Sequence, residues 1–106
     1  MIELIFAAAL ANSIAAPPGI WARARWGAMR PNIELEIENR STVKAWLVDV
    51  TCKAYDARGA VVAVSTSNVA ELEPGERTKT WAVADGRATA VRFACNVDVN
   101  DWRRPD

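Results

Sequence analysis

The chain has 106 residues, about half of them apolar and a quarter charged, with 13 basic residues balancing 13 acidic ones. This length supports one hydrophobic core and no second domain, and the balanced charge gives no pull toward nucleic acid or an anionic membrane. With no histidine and only two cysteines, Ser-His and Cys-His nucleophilic pairs, histidine-containing zinc sites and Cys₄ zinc sites are excluded.

Residues 1–15, MIELIFAAALANSIA, join an apolar run from Leu4 to Ala11 to the small residues Ser13 and Ala15. That is the pattern of a secretory leader cleaved after Ala15. Glu3 stands where a leader normally carries positive charge, so a packed amino-terminal helix is the alternative. The apolar run is shorter than the ~20 residues needed to cross a bilayer, so no stable membrane span is expected. Residues 16–31 read as an extended arm or linker broken by Pro17-Pro18, Gly19 and Gly27. Within it IWARARW alternates Trp21, Arg23 and Arg25 against Ala22, Ala24 and Trp26, the pattern of a short edge strand.

A sandwich domain is expected over residues 32–100. Ile33, Leu35 and Ile37 face one side and Glu34, Glu36 and Glu38 the other, which predicts a strand with an outward carboxylate row paired to basic neighbours. Asn39-Arg40-Ser41 matches a glycosylation sequon by spacing but reads better as the hairpin turn into the next strand. That strand, Thr42 to Asp56, is the long central one, with Trp46, Val48, Val50, Cys52 and Ala54 on its inward parity. Asp56 and Gly59 supply turn chemistry after Tyr55, and the β-branched run from Val61 completes a hairpin. Pro74-Gly75 forms a second turn. The strand after it carries Lys79, Trp81 and Val83 on one parity, with Trp81 and Val83 marking the buried side. Asp85-Gly86 is a hairpin signal, and the last strand turns Val91, Phe93, Cys95, Val97 and Val99 inward. Residues 101–106 are expected to fray.

Asn39, Ala54-Tyr55-Asp56, Gly59, Leu72, Pro74-Gly75-Glu76 and Trp81 together resemble the FxLYD domain of bacterial extracytoplasmic proteins, over about Ile33 to Val99. Ala54 stands where that family usually has Leu, and Trp81 where it usually has Phe. The resemblance implies an all-β, immunoglobulin-like antiparallel β-sandwich, a periplasmic or secreted location, and no catalytic or binding residues to carry over.

Cys52 and Cys95 both fall on inward parities, so their side chains enter one core. In an oxidising compartment they can form a disulfide resembling the inter-sheet bridge of immunoglobulin domains; two buried thiols are the alternative. The expected function is a noncatalytic extracytoplasmic module that meets a protein partner at the cell envelope through strand edges and loops, with no cofactor and no metal. A glycan-binding module is the rival, with Trp21, Trp26 and Trp102 as a stacking platform and Trp46 and Trp81 assigned to the core. A small hydrolase without a recognisable site is the third reading. Asn39, Tyr55, Asp56, Gly59, Pro74 and Gly75 are expected to matter as turns.

Overall fold

The structure, a computed structural model, describes residues 11–28, 32–82 and 90–103. The expectations for residues 1–10, Val83, Asp85-Gly86 and the last three residues lie outside the described residues. Seven strands follow one another: β1 (Ser13–Ala15), β2 (Ile20–Trp26), β3 (Ile33–Asn39), β4 (Lys44–Tyr55), β5 (Val61–Leu72), β6 (Arg77–Ala82) and β7 (Arg92–Arg103). They form two sheets of a β-sandwich, ordered β1-β7-β4-β5 and β2-β3-β6. All pairings are antiparallel except β1 on β7, where Ser13–Ala15 run parallel to Ala94–Asn96. The all-β class expected from the alternating patterns is the one observed.

The core lies between the sheets because the period of two gives each strand one apolar face. Ile33, Leu35 and Ile37 from β3 meet Val48 and Val50 from β4 and Phe93 and Val97 from β7, all nearly or fully buried. Each such side chain contributes roughly 1.5–3 kcal/mol on burial. Trp26 closes one end, its ring edge-on to Phe93 with centroids 5.1 Å apart. Placing Trp26 on an exposed platform is therefore corrected. The β2 side chains alternate, and Trp26 shares the inward parity of Ala22 and Ala24, which also pack on the core.

Three other expectations change. Asn39-Arg40-Ser41 is not a hairpin turn: β3 and β4 belong to different sheets, so this segment crosses the sandwich. Trp46 does not follow Val48 into the core. Leu47 has φ of 52°, and the inward residues on either side of it are Ala45 and Val48, three positions apart rather than two. The same step runs across the neighbouring strand, where Val69 and Leu72 pair with Val48 and Ala45, so the alternation shifts by one and Trp46 takes the outer parity. Finally, β7 continues past residue 100, with Ala45 opposite Trp102 and Lys44 opposite Arg103. Residues 101–103 are strand rather than tail.

The leader reading and the fold meet at β1. Asn12 Oδ1 accepts a 2.9 Å hydrogen bond from the Phe93 amide, and Ile14 packs against the core. Cleavage after Ala15 would remove this strand from the β7 edge.

Candidate binding face

The outer face of the three-stranded sheet is built by register alone. Opposed residues on paired strands share a face, so the outward residues of β2, β3 and β6 form three rows. These are Trp21, Glu38 and Arg77; Arg23, Glu36 and Lys79; and Arg25, Glu34 and Trp81. The expected pairing of the carboxylate row with basic neighbours is present. Arg23 Nη2 donates to Glu36 Oε1 at 2.7 Å, Arg25 Nε to Glu34 Oε2 at 3.0 Å, and Arg77 Nη2 to Glu38 Oε1 at 2.5 Å. Arg40 adds a contact of 3.4 Å to Glu38. The Arg77 hydrogen bond, helped by Arg40, holds the Glu38 carboxyl below the usual carboxylate range and raises Arg77 in turn.

Five cations, Arg23, Arg25, Arg40, Arg77 and Lys79, thus face three carboxylates. The four guanidiniums take all three carboxylates, and Lys79 has no ion-pair partner among the described residues. Beside it stands Trp81, 52% exposed. Assigning Trp81 to the core is corrected. It sits opposite the outward Glu34, while the inward residues of β6 are Thr78, Thr80 and Ala82. That inward face could be polar because Ser67 of β5 meets it, its hydroxyl 2.6 Å from that of Thr80. A shallow depression is lined by Arg23, Arg25, Glu34, Glu36, Lys79 and Trp81.

Of the three tryptophans expected to form a stacking platform, only Trp21 lies on this face. Its ring is already engaged, with the guanidinium carbons of Arg77, Arg40 and Arg23 at 4.8, 4.9 and 5.8 Å from the centroid. Trp102 belongs to the other sheet, where register places it beside buried Ala45, and its ring reaches the Gly19 turn. Trp26 is partly buried and packs against the core. The structure therefore does not assemble the expected trio; the open ring is that of Trp81. Strand pairing order was the missing signal, since only the opposition of β6 to the Glu-bearing face of β3 fixes which way Trp81 points. Trp46, also outward, is covered on the opposite sheet by Lys44 Nζ at 4.1 Å and Arg103 at 4.7 Å from its ring centroid. Hydrogen bonds to Glu73 and Glu71 raise the Lys44 pKa.

Asp56, Gly59, Pro74 and Gly75 lie in turns, whereas Tyr55 ends β4 and Asn39 ends β3. Asp56 Oδ1 accepts from the amides of Arg58 and Ala60, and Gly59 adopts φ of 84° in the β4–β5 hairpin. Tyr55 lies under the Arg92 guanidinium, 3.9 Å from the ring centroid. At the other end, Pro74 and Gly75 make a turn closed by the Glu76 amide donating to the Glu73 carbonyl, with Gly75 at φ of 84°, the positive value the third position of a type II turn requires.

Asn39 is more than a turn residue. It is fully buried, its Nδ2 donates to the carbonyls of Val43 and Leu72 at 2.9 Å each, and its Oδ1 accepts from the amide and hydroxyl of Ser41. Its backbone holds the Pro74-Gly75 turn, accepting from the Gly75 amide at 2.7 Å and donating to the Glu76 carbonyl. One side chain therefore joins β3, the crossover and the end of β5. Since both amide hydrogens of Asn39 are bonded inside the fold, the sequon is closed to glycosylation in the folded chain.

Cys52 and Cys95 form a disulfide. They are direct partners on β4 and β7, with Cα atoms 4.0 Å apart. The expected bond is present, but it fastens two neighbouring strands of one sheet and is not an inter-sheet bridge. Parity placed both sulfurs inside; only the pairing of β4 with β7 shows that they share a sheet.

No family model and no curated protein matches the chain. Among solved structures it is similar to the Campylobacter jejuni protein cj0090, with a TM-score of 0.55 and 15% identity, over 84% of this chain and 99% of that one. At that identity the likeness concerns the fold.

Proposed function

We propose that this chain is a noncatalytic binding module of the extracytoplasmic space, and that the outer face of its three-stranded sheet is the contact surface. The observation that carries this is Trp81. A large aromatic ring more than half exposed on a regular strand leaves much of its apolar area in water, and beside an ammonium with no ion-pair partner among the described residues it is the kind of anchor that recognition surfaces use. Stability does not explain the charges around it, because exposed ion pairs each contribute only about 0.2–1 kcal/mol. A catalytic reading gains no support from the same face. Its carboxylates are held by guanidiniums, and Glu38 is pushed away from the pKa a general acid needs near neutrality.

The extracytoplasmic setting is supported by the Cys52–Cys95 bond, since disulfides persist in oxidising compartments. It also agrees with the FxLYD resemblance. No helix among the described residues is long and apolar enough to cross a membrane.

Two partner classes fit a flat face of this kind: a protein of the cell envelope, as the strand pattern first suggested, and a glycan. The glycan reading moves from Trp21, Trp26 and Trp102 to Trp81. Screening the oxidised protein against arrays of peptides and glycans tests the proposal. Ligands of the wild type should be lost by Trp81→Ala and retained by Thr51→Arg, on the opposite outer face. Ligands that survive Trp81→Ala and disappear with Thr51→Arg would contradict it.

A further inference from the structure

We infer that the depression at Trp81 and Lys79 binds an acidic glycan, with a uronic acid ring on the indole and its carboxylate against the Lys79 ammonium. This rests on the binding-face reading above and adds the ligand class. Three features of the depression converge on it.

The first is the open aromatic plane of Trp81, which matches the apolar C–H face of a sugar ring and accepts it without a deep cavity. The second is the mosaic of paired groups beside it. Arg23 with Glu36 and Arg25 with Glu34 satisfy one another, yet each guanidinium keeps further N–H groups and each carboxylate further lone pairs. A hydroxyl is donor and acceptor at once, so a ligand rich in hydroxyls can bridge such alternating groups without leaving any unmet. The carboxylate side chains of an acidic peptide only accept, so they cannot bridge donor and acceptor as a hydroxyl does. The third is charge. The Lys79 register partner, Glu36, is already taken by Arg23 at 2.7 Å and approached by Arg77 at 3.6 Å. The ammonium therefore has no counterion among the described residues, and a carboxylate on the ligand supplies one. The face as a whole carries five cations against three carboxylates, which favours an anionic ligand over a neutral one.

The test is a titration of the full oxidised chain, followed by tryptophan fluorescence and calorimetry. The probes are an oligogalacturonate, a neutral oligosaccharide of equal length and a polyglutamate peptide. Trp81→Ala and Lys79→Gln alter exposed side chains, and an unchanged melting curve verifies their folding. Binding of the oligogalacturonate should weaken at least about tenfold in Trp81→Ala and roughly threefold to fivefold in Lys79→Gln. The neutral sugar should bind more weakly and ignore Lys79→Gln. Equal binding of the two sugars, or indifference of the oligogalacturonate to Lys79→Gln, overturns the ligand class while leaving the binding face in place. Binding of polyglutamate alone, or of no probe at all, also overturns the ligand class. In either case the array comparison of Trp81→Ala with Thr51→Arg decides the face itself.

Discussion

The two sheets of this sandwich present outer faces of opposite design. On the three-stranded sheet every outward position is a charged residue or a tryptophan, and each carboxylate stands opposite at least one cation on a neighbouring strand. On the four-stranded sheet the middle rows are short and polar. Thr51 faces Thr66 and Asn96, and Asp49 stands directly opposite Asp98 with Asn68 on its other side. There the carboxylates are relieved by amides, with Asn100 Nδ2 donating to Asp49 and Asn96 Nδ2 to Asp98. The four-stranded sheet also holds the disulfide and the long ladders, two strands of 12 residues paired with a third. The three-stranded sheet has strands of six and seven residues and is stitched at its surface by exposed ion pairs. Strength is concentrated in one sheet, which leaves the surface of the other free to be shaped for contact.

Changes to the fastened sheet should produce the largest effects on stability. Replacing Cys52 and Cys95 by Ser should cost roughly 3 to 4 kcal/mol on the chain-entropy model for a loop of this length, read as a lowered denaturant midpoint. The ion pairs of the opposite face should be untouched in the folded remainder. The joint between the sheets comes next. Asn39→Ala strips hydrogen bonds from the Leu72 carbonyl and the Ser41 amide, and should cost about 2 to 3 kcal/mol by chemical denaturation. Asn39→Asp should not rescue it, because a carboxylate cannot donate to the two carbonyls.

The charged face should reveal itself through pH. Glu38 is depressed, first by its hydrogen bond from Arg77, so the unfolded chain takes up a proton at higher pH than the folded one. Its contribution to stability is therefore present above the ordinary carboxylate range and is lost as the pH falls through and below that range. In melting experiments, Arg77→Gln should lower stability at neutrality while changing it little in acid, so that the acid limb flattens. Lys44 is raised, first by Glu73, so its contribution persists below the ordinary lysine range and is lost as the pH climbs through the raised value. The smallest effect belongs to the opposed aspartates. Asp98→Asn removes a like-charge pair and should stabilise by a few tenths of a kcal/mol at low salt, a sign opposite to that of neutralising an ion-paired residue such as Glu36 on the other face.

Much of this architecture was legible in the chain. Ile33 to Glu38 alternates without exception, and Val48 to Ala54 likewise, so both strands and their inward faces follow from the period of two. The turns at Asp56 and at Pro74-Gly75 carried their own chemistry. What was not legible depended on partners. An apolar residue usually marks the core, which points Trp81 inward, but β6 turns threonines inward and Thr80 meets Ser67 of β5. Trp46 was misplaced by one left-handed residue, Leu47, a conformation that a leucine sequence does not announce. The bridge was foreseen by parity, yet its sheet was not, because parity says which face a residue takes and nothing of which strand lies beside it.

The central claim is that contact chemistry belongs to the Trp81 face alone. The most direct measurement follows the five indole N–H resonances of isotopically labelled protein during titration with a ligand found on the arrays, with Trp81 assigned by Trp81→Phe. The account predicts that the Trp81 indole moves most, together with backbone amides of β6 and β3, while the indoles of Trp46 and Trp102 stay in place. Movement of Trp46 or Trp102 with a stationary Trp81 would contradict it and would transfer recognition to the four-stranded sheet.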